Sequence, residues 1–476
     1  MQLSIPQLPR QCPRPGCAAL CLGLSVLACT PHQVTRRPAP PIPVPARYVD
    51  KATEGAPERD GPWWHAFGDP RLNALVRRAL QRNFNLQAAW ARLSQAEALL
   101  TQAKSGRYPT LRADVSASRQ RIATLFGAFE NSLYSTSLAA SYEVDLFGRV
   151  RAGVEAAKLD AAAMRDDVES MAMSLTAEIA ESYFALAEAE ARRRFLEEQL
   201  RTNTTYLELI TLRFREGLTS SVDVYQQQQQ VEALRAELAT AALDSDLRRN
   251  QLAILVGRPH PIAETERQTE LPAPPPLPAR GLPAALLERR PDVRAARRRA
   301  EAGDHRVAQA IAARYPSLRI DANVGLSANA IESLLESFVW GVVGSLATPL
   351  FDGGRLKAEV RRQRAVLRER MALYGQSLVQ AMKEVYDALA LERGQRDRQA
   401  ALKARVAALD GALRETQARY REGLSDYLPV LVALGLLQQV QVSLLASERQ
   451  LLSSRIQLYR ALGGRWTASL RAPTTQ

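Results

Sequence analysis

The 476-residue sequence predicts a mainly α-helical protein that also carries four β-strands of the kind found in membrane barrels. Three observations predict this class. The segment at 213–218, Arg-Phe-Arg-Glu-Gly-Leu, returns 206 residues later at 419–424 as Arg-Tyr-Arg-Glu-Gly-Leu. Residues 148–216 contain no proline, and residues 354–422 match them. Short segments of alternating polarity precede each of these stretches, as in half-buried strands.

The N-terminus predicts export and lipidation. Arg10 and Arg14 precede an apolar segment, residues 17–28, that is too short to span a bilayer. Residues 26–29, Val-Leu-Ala-Cys, resemble a bacterial lipobox, and all four cysteines lie at or before Cys29. We therefore expect a lipoprotein signal peptide at 1–28 and an acylated Cys29, with Thr30 favouring the outer membrane; an ordinary signal peptide is the alternative.

The remaining chain divides into a tether, two repeats and a tail. A Pro-rich tether at 29–62 is followed by a first repeat at 63–270, a Pro-rich segment at 271–283 and a second repeat at 284–465. Residues 466–476 form the tail. The first repeat is predicted to hold a helix that opens at Asp69 and runs to about Gly106, a β-hairpin at 110–147, and long helices at 148–216 and 221–256. The second is predicted to hold a helix, a hairpin at 317–351, and long helices at 354–422 and 425–462.

The two hairpins have one apolar and one polar face. Leu111, Ala113 and Val115 alternate with Arg112, Asp114 and Ser116. Such faces pack either on a soluble core or against lipid. Four strands are too few to close a barrel, which needs about eight, and lipid tolerates no open sheet edge. The membrane interpretation therefore requires an oligomer, and three chains would supply twelve strands.

Each long stretch predicts an unusually long helix. Residues 148–216 would extend about 100 Å at 1.5 Å per residue. Gly217 is a natural left-handed terminator, so the chain reverses there and the helix at 221–256 returns.

Charge and motif content argue against an enzyme. The net charge is +13, and only six of the 63 basic residues are lysines. A nucleic-acid surface is one interpretation of these charges, but export favours solvated helical faces. The four histidines lack metal-ligand spacing, and no phosphate-binding or nucleophile motif is present. We expect no catalytic residue, metal, cofactor or nucleic-acid partner.

Several motifs, in order, resemble the outer-membrane factor family of tripartite efflux pumps, the TolC-like ducts, and its lipoprotein branch (OprM- or NodT-like) most closely. The motifs lie at 64–72, 142–149, 290–296, 348–355 and 462–466. The resemblance implies a homotrimer, with a 12-stranded β-barrel in the outer membrane and a 12-helix periplasmic tunnel. It also implies two partners, a periplasmic adaptor protein and, through it, an inner-membrane transporter of the RND type.

The same resemblance places both turns at the periplasmic tip of the tunnel. The implied adaptor contacts are Gly217, Leu218, Thr219, Ser220, Gly423, Leu424 and Ser425. The implied gate residues are Asp223, Tyr420, Asp426 and Leu428. This chain departs from the family at Pro429 and Val432, where acidic residues are common. A ring of Asp426 carboxylates and a more apolar constriction are therefore both open at this point.

The function implied is a passive exit duct that conducts drugs or other small molecules across the outer membrane. A type I protein-secretion duct shares the fold and is the first alternative. A structural coiled-coil lipoprotein of the cell envelope is the second, although such a protein has no use for alternating strands.

Overall fold

The computed structural model describes residues 31–35, 38–45, 61–125, 127–263, 270–278, 286–464 and 466–472. The predicted signal peptide and Cys29 lie outside these residues, as do parts of the two Pro-rich segments.

Helices dominate both repeats. The first repeat contains α1 (Pro70–Arg82), α2 (Phe84–Ser105), β1 (Thr110–Thr124), β2 (Gly127–Val144), α3 (Arg149–Arg215) and α4 (Ser221–Leu255). The second contains α5 (Leu286–Arg289), α6 (Pro291–Ala312), β3 (Ser317–Ala328), β4 (Phe338–Ala347), α7 (Arg355–Arg421) and α8 (Leu428–Leu462). Short 3₁₀ segments cover Trp63–Phe67, Leu334–Glu336 and Trp466–Ser469. The helices α3 and α7 have the same length, 67 residues.

The expectation of one helix from Asp69 to about Gly106 is wrong, because the helix breaks at Asn83. Asp69 caps α1 as predicted, accepting from Arg71 N at 2.8 Å. The backbone of Asn83 is extended, and its Oδ1 accepts from Leu86 N at 3.0 Å. The side chain of Asn83 therefore caps a second helix, α2.

The helix predicted to begin at 425 begins three residues later, at Leu428. Ser425 and Asp426 belong to the turn, and Pro429 lies in the first turn of the helix, where a missing N–H costs nothing.

All four strands form one antiparallel sheet in the order β1-β2-β3-β4. Within the sheet the two repeats are joined by the β2–β3 pairing, which runs from Tyr134 opposite Ala328 to Val144 opposite Leu318. The outer edges of β1 and β4 have no partner strand within the described chain.

The chain divides into two compact units. One comprises residues 1–38, 97–159 and 300–369 and holds the sheet; its core is Val307, Ala310 and Ile311 of α6 with Val360 of α7. The other comprises residues 39–96, 160–299 and 370–476 and holds the larger cores. Around Trp63 its aromatic cluster is dense, with Tyr459 stacked at 5.7 Å between ring centroids.

In this larger unit, the helices α4 and α8 end in the same way in the two repeats. Gly257 and Gly463, which follow α4 and α8, both have a positive φ, 75° and 73°. A Cβ on Gly257 would lie 2.5 Å from Arg82 O, and one on Gly463 would lie 3.0 Å from Arg289 O. Each position therefore requires glycine for its backbone angle and for the close approach of another chain segment.

Each repeat also has a side-chain hydrogen bond to a carbonyl near the end of its second long helix, but the donor residue differs. In the first repeat Asn83 Nδ2 donates to Leu255 O at 2.9 Å. In the second, Arg290 Nη1 donates to Ala461 O at 3.2 Å and is held by Asp292 and Glu384. Both bonds satisfy a carbonyl at the end of a long helix, which has no partner within the helix itself.

Among the described helices α8 is long and apolar enough to cross a membrane, judged by length and composition. In the structure Val430, Ala433 and Leu437 pack with Ile210 of α3 and Leu413 of α7. The apolar start of α8 therefore packs against the neighbouring helices α3 and α7.

Candidate functional site

The first tip joins α3 to α4 through a turn that is closed by its own hydrogen bonds. Gly217 has a φ of 72°, and Leu218 N donates to Arg213 O at 2.8 Å. Ser220 Oγ accepts from Asp223 N at 3.3 Å while the Asp223 carboxylate accepts from Ser220 N at 3.1 Å. This reciprocal arrangement is a capping box, so two N–H groups at the start of α4 are satisfied by side chains of the turn.

Asp223, a predicted gate residue, is engaged inside this cap. Its Oδ2 accepts from Thr219 Oγ1 at 2.5 Å and from Ser220 Oγ at 3.0 Å. Burial of the carboxyl would raise its pKa, but the hydrogen bonds from Thr219 and Ser220 outweigh this and lower the pKa below its ordinary value. The carboxylate therefore stays ionised and serves the turn of its own chain.

The second tip has the same turn but no side-chain cap. Gly423 has a φ of 72°, and Leu424 N donates to Arg419 O at 2.9 Å. The residue before α8 is Tyr427, and its side chain makes no capping hydrogen bond. Ser425 Oγ is buried without a partner in the described structure, while Asp426 is exposed. The second turn therefore depends on contacts with other helices.

Tyr427 supplies the main contact of this kind. Its side chain is 1% exposed, and its hydroxyl donates to Gln227 Oε1 of α4 at 2.7 Å. Burial, above all, raises the pKa of Tyr427, and the neighbouring Asp223 adds to this. The phenol therefore remains a neutral donor, and the second turn is fastened to the helix that starts at the first.

A buried amide network continues from Gln227. Its Nε2 donates to Asn203 O at 2.8 Å and to Asn203 Oδ1 at 3.2 Å. Asn203 Nδ2 donates to Gln199 O at 2.8 Å and reaches Gln438 Oε1 at 3.4 Å. The network joins α3, α4 and α8, and a polar group at a packed helix position fixes which residues face one another. We name Asn203, Gln227, Tyr427 and Gln438 the tip network.

Tyr420, another predicted gate residue, contacts this network through its ring. Its centroid lies 5.4 Å from that of Tyr427, and the Arg213 guanidinium lies 4.5 Å from the Tyr420 centroid. The hydroxyl of Tyr420 is buried and has no hydrogen-bond partner among the described residues. The structure thus brings Tyr420 together with Tyr427, which immediately precedes Leu428.

Exposed apolar side chains mark both tips. Leu218 is 66% exposed and Leu424 is 71% exposed. On α8 the exposed residues Leu428, Val432 and Leu436 follow one another at intervals of four, so they form one stripe. The predicted contact residues Gly217, Ser220 and Gly423 are also exposed.

The two faces of the sheet differ in polarity. One face carries an apolar band that extends from Val144, Leu318 and Leu346 to Ala117, Tyr134 and Ala328. The other face carries polar groups such as Ser141, whose hydroxyl donates to Asp321 Oδ1 at 2.6 Å. This band has six rows of residues, and successive rows lie about 6.8 Å apart along the strand. For strands tilted by about 40° from the membrane normal, the band is about 25 Å high. This is the height of the apolar band of an outer-membrane barrel.

The sequence matches the family model described as outer membrane efflux protein over residues 75–258 and 282–464. It is 30% identical over 457 residues to the pyoverdine export outer membrane protein OpmQ of Pseudomonas putida, covering 94% of this chain and 97% of that one. It is 31% identical to the toluene efflux pump outer membrane protein TtgF of Pseudomonas putida, covering 87% of each. The chain belongs to the outer membrane efflux protein family.

A solved structure supports the same assignment of the efflux protein. The outer-membrane channel OprN matches it with a TM-score of 0.85 and 27% identity, covering 90% of this chain and 98% of OprN. The TolC-like fold, the role as an outer-membrane efflux channel and the outer-membrane location predicted from the sequence are thereby confirmed.

Sequence reasoning missed the centre of the tip of this efflux protein. Gln227 lies within a run of five glutamines, residues 226–230, and nothing in that run distinguishes one from another. Asn203 gave a usable signal, because it occupies an apolar-stripe position between Leu200 and Leu207. Within the described residues no cluster of side chains could hold a metal ion.

Proposed function

We propose that three copies of this chain form a passive exit duct that receives small molecules from a periplasmic adaptor and an inner-membrane RND-type transporter. The observation that carries the proposal is the open four-stranded sheet, which has one apolar face and two unpaired edges. No catalytic step is part of this function.

The unpaired edges support a homotrimer. In lipid every backbone N–H and C=O needs a partner, so β1 and β4 must each meet another strand. Pairing β4 of one chain with β1 of the next closes a ring, and three chains give twelve strands. In this barrel the apolar band faces outer-membrane lipid and the polar face lines the opening.

The two tips support the adaptor contact and the gate. Leu218 and Leu424 are exposed apolar side chains on turns of the same backbone geometry, as two equivalent docking points require. Together with Gly217, Thr219, Ser220, Gly423 and Ser425 they form the proposed adaptor surface.

The proposed gate combines Tyr420, Leu428 and Asp426 with the exposed α8 stripe. The exposed side chains of Leu428 and Val432 make this constriction mainly apolar. Asp426 contributes an exposed carboxylate, whereas the carboxylate of Asp223 is held in the cap of α4. A narrow apolar opening resists ions by excluding water. Separation of α8 from α4 at Tyr427 would open it.

The relatives support a passive role. OpmQ is named for pyoverdine export and TtgF for toluene efflux, two very different solutes. A shared fold that serves both argues that the solute is chosen elsewhere, in the transporter.

One experiment tests the assembly and the tips together. The full-length protein is expressed with an adaptor and an RND transporter in cells lacking their own outer-membrane duct. We expect cross-linking to trap a trimer, and efflux of a pump substrate to be restored. Leu218→Asp with Leu424→Asp should abolish efflux while leaving the trimer intact.

The matched control is Leu125→Asp, which introduces the same change at the exposed turn between β1 and β2. It should retain efflux. A monomer in the membrane would refute the barrel, and full efflux by the doubly substituted tips would refute the adaptor contact.

A further inference from the structure

The two hairpins of the sheet differ in length. The pairing of β2 with β3 ends at Tyr134 opposite Ala328, but β1 and β2 continue to pair as far as Thr124 opposite Gly127. This two-stranded extension, residues 118–124 and 127–133, lies at the end of the sheet away from the helices that follow β2 and β4. In the outer-membrane orientation it lies on the extracellular side. We name it the outer ribbon.

The outer ribbon places charges on the lipid-facing side. Side chains alternate along a strand, so Arg119 and Arg121 share the face of Val115 and Ala117. Glu130 is opposite Arg121 on the same face. Among the paired residues of all four strands, this face carries no other charged side chain.

The height of these arginines is set by the register. Arg119 lies one row beyond Tyr134, and Arg121 lies two rows beyond it. One row is about 6.8 Å along the strand, or about 5 Å along the membrane normal at a tilt of about 40°. Tyrosines mark the edge of the hydrocarbon region, and the headgroup layer beyond it is about 5 to 8 Å thick. Both guanidinium groups therefore lie at headgroup level.

The local charge balance is positive. Arg119 Nε donates to Glu130 Oε2 at 3.2 Å, so one carboxylate orients one guanidinium. Arg121 is exposed and has no ion-pair partner among the described residues. In the corresponding loop of the second hairpin, residues 329–337, the charged residues are both acidic, Glu332 and Glu336. The positive site is thus confined to the first hairpin.

We propose that Arg119 and Arg121 bind the phosphate groups of an outer-leaflet glycolipid, with Glu130 orienting the Arg119 side chain. A guanidinium matches phosphate in a planar two-bond geometry, and an anionic lipid surface attracts basic residues placed beside it. The inference rests on the proposed trimeric barrel, because it needs the apolar band to face lipid.

Binding of diphosphoryl lipid A to the purified full-length trimer tests the proposal. Lipid A with and without its two phosphates is titrated in detergent, and the bound lipid is counted by native mass spectrometry. We expect the parent to prefer the phosphorylated lipid. Arg119→Gln with Arg121→Gln should weaken that binding about tenfold, and leave the dephosphorylated lipid unchanged. Lysine at both positions should restore only part of the affinity, because an ammonium group keeps the positive charge but not the two-bond geometry.

The matched control is Arg112→Gln, on the opposite face of the same strand, which should leave lipid binding unchanged. Glu130→Gln removes the carboxylate that orients Arg119 and should weaken binding of the phosphorylated lipid, but by less than the double glutamine variant. Equal affinity of the parent for both lipids, or unchanged binding by the double glutamine variant, would overturn the inference even though the protein is trimeric. A parent that is not trimeric would overturn the proposed barrel as well.

Discussion

The two repeats close their long helices alike and fasten their tips differently. At the C-terminal ends of α4 and α8, both repeats have a glycine with positive φ and a side-chain hydrogen bond to a helix carbonyl. These are Gly257 with Asn83 in the first repeat and Gly463 with Arg290 in the second. At the tips, α4 is capped by residues of its own turn, whereas α8 depends on Tyr427 reaching Gln227. The first tip is therefore complete in itself, and the second is held by the first.

This difference suits a gate with one fixed and one movable element. A capping box resists fraying without help from neighbours. The Tyr427 hydroxyl supplies the hydrogen bond that joins the second turn to α4, and the contacts of the neighbouring Val430 and Ala433 are apolar and non-directional, so the turn can separate from α4 if that bond breaks. The following four predictions test the comparison, from the largest expected effect to the smallest.

Replacement of Arg290 by methionine should cause the largest loss of stability. The substitution removes the bond to Ala461 O and the ion pairs with Asp292 and Glu384, at a cost of about 3 kcal/mol. Asn83→Ala removes the neutral counterpart, the bond to Leu255 O, together with the cap of α2, and should cost about 2 kcal/mol. Thermal loss of helical circular dichroism would rank the two. Equal shifts would contradict the larger loss expected for Arg290.

Replacement of Gly257 or Gly463 by alanine should destabilise the protein, and the loss should be larger where the added Cβ lies closer to another chain segment. Both residues have a positive φ, which costs about 1 to 2 kcal/mol for any residue with a side chain. Gly257→Ala adds a Cβ only 2.5 Å from Arg82 O, against 3.0 Å from Arg289 O for Gly463→Ala. The melting temperature of the first variant should therefore fall further. The reverse order would contradict the packing described around Arg82.

Tyr427→Phe should loosen the second tip while leaving the first intact. The variant keeps the ring but leaves Gln227 Oε1 buried without its donor, a cost of about 1 to 3 kcal/mol. Hydrogen exchange should quicken in the first turns of α8, and the conductance of the duct in a planar bilayer should rise. Tyr225→Phe, on an exposed side chain, is the control. An unchanged exchange rate at α8 would show that Tyr427 acts by packing alone.

Loss of the first cap should have the smallest and most local effect. Ser220→Ala removes one half of the capping box and should cost about 1 kcal/mol, seen as faster exchange at the start of α4. The cap should also depend on pH in one direction. The pKa of Asp223 is lowered in the folded protein, so its stabilising effect is complete above the unfolded pKa of about 4 and is lost as the pH falls through the lowered folded value. Constant protection down to pH 2 would contradict this.

Much of the architecture was predictable because it rests on local signals. Gly217 and Gly423 end helices by their backbone freedom, and alternating polarity along β1 and β3 follows from strand geometry. The break at Asn83 was missed because its reason is distant, a bond to Leu255 O some 172 residues away. The pairing of Tyr427 with Gln227, 200 residues apart, was missed for the same cause. Local patterns specify elements, whereas the side chain that fastens one element to another depends on the register between them.

The pairing of β2 with β3 has a consequence for how the proposed ring assembles. Six hairpins from six separate chains would need six intermolecular seams to form at once. Fusion of two repeats makes every second seam intramolecular, so three chains need only three seams, each between β4 and β1 of different copies. Such a seam is head-to-tail, and its two edges need to recognise only each other. Covalent linkage also raises the effective concentration of the joined hairpins, so the ring can nucleate from a chain that already holds a third of its wall.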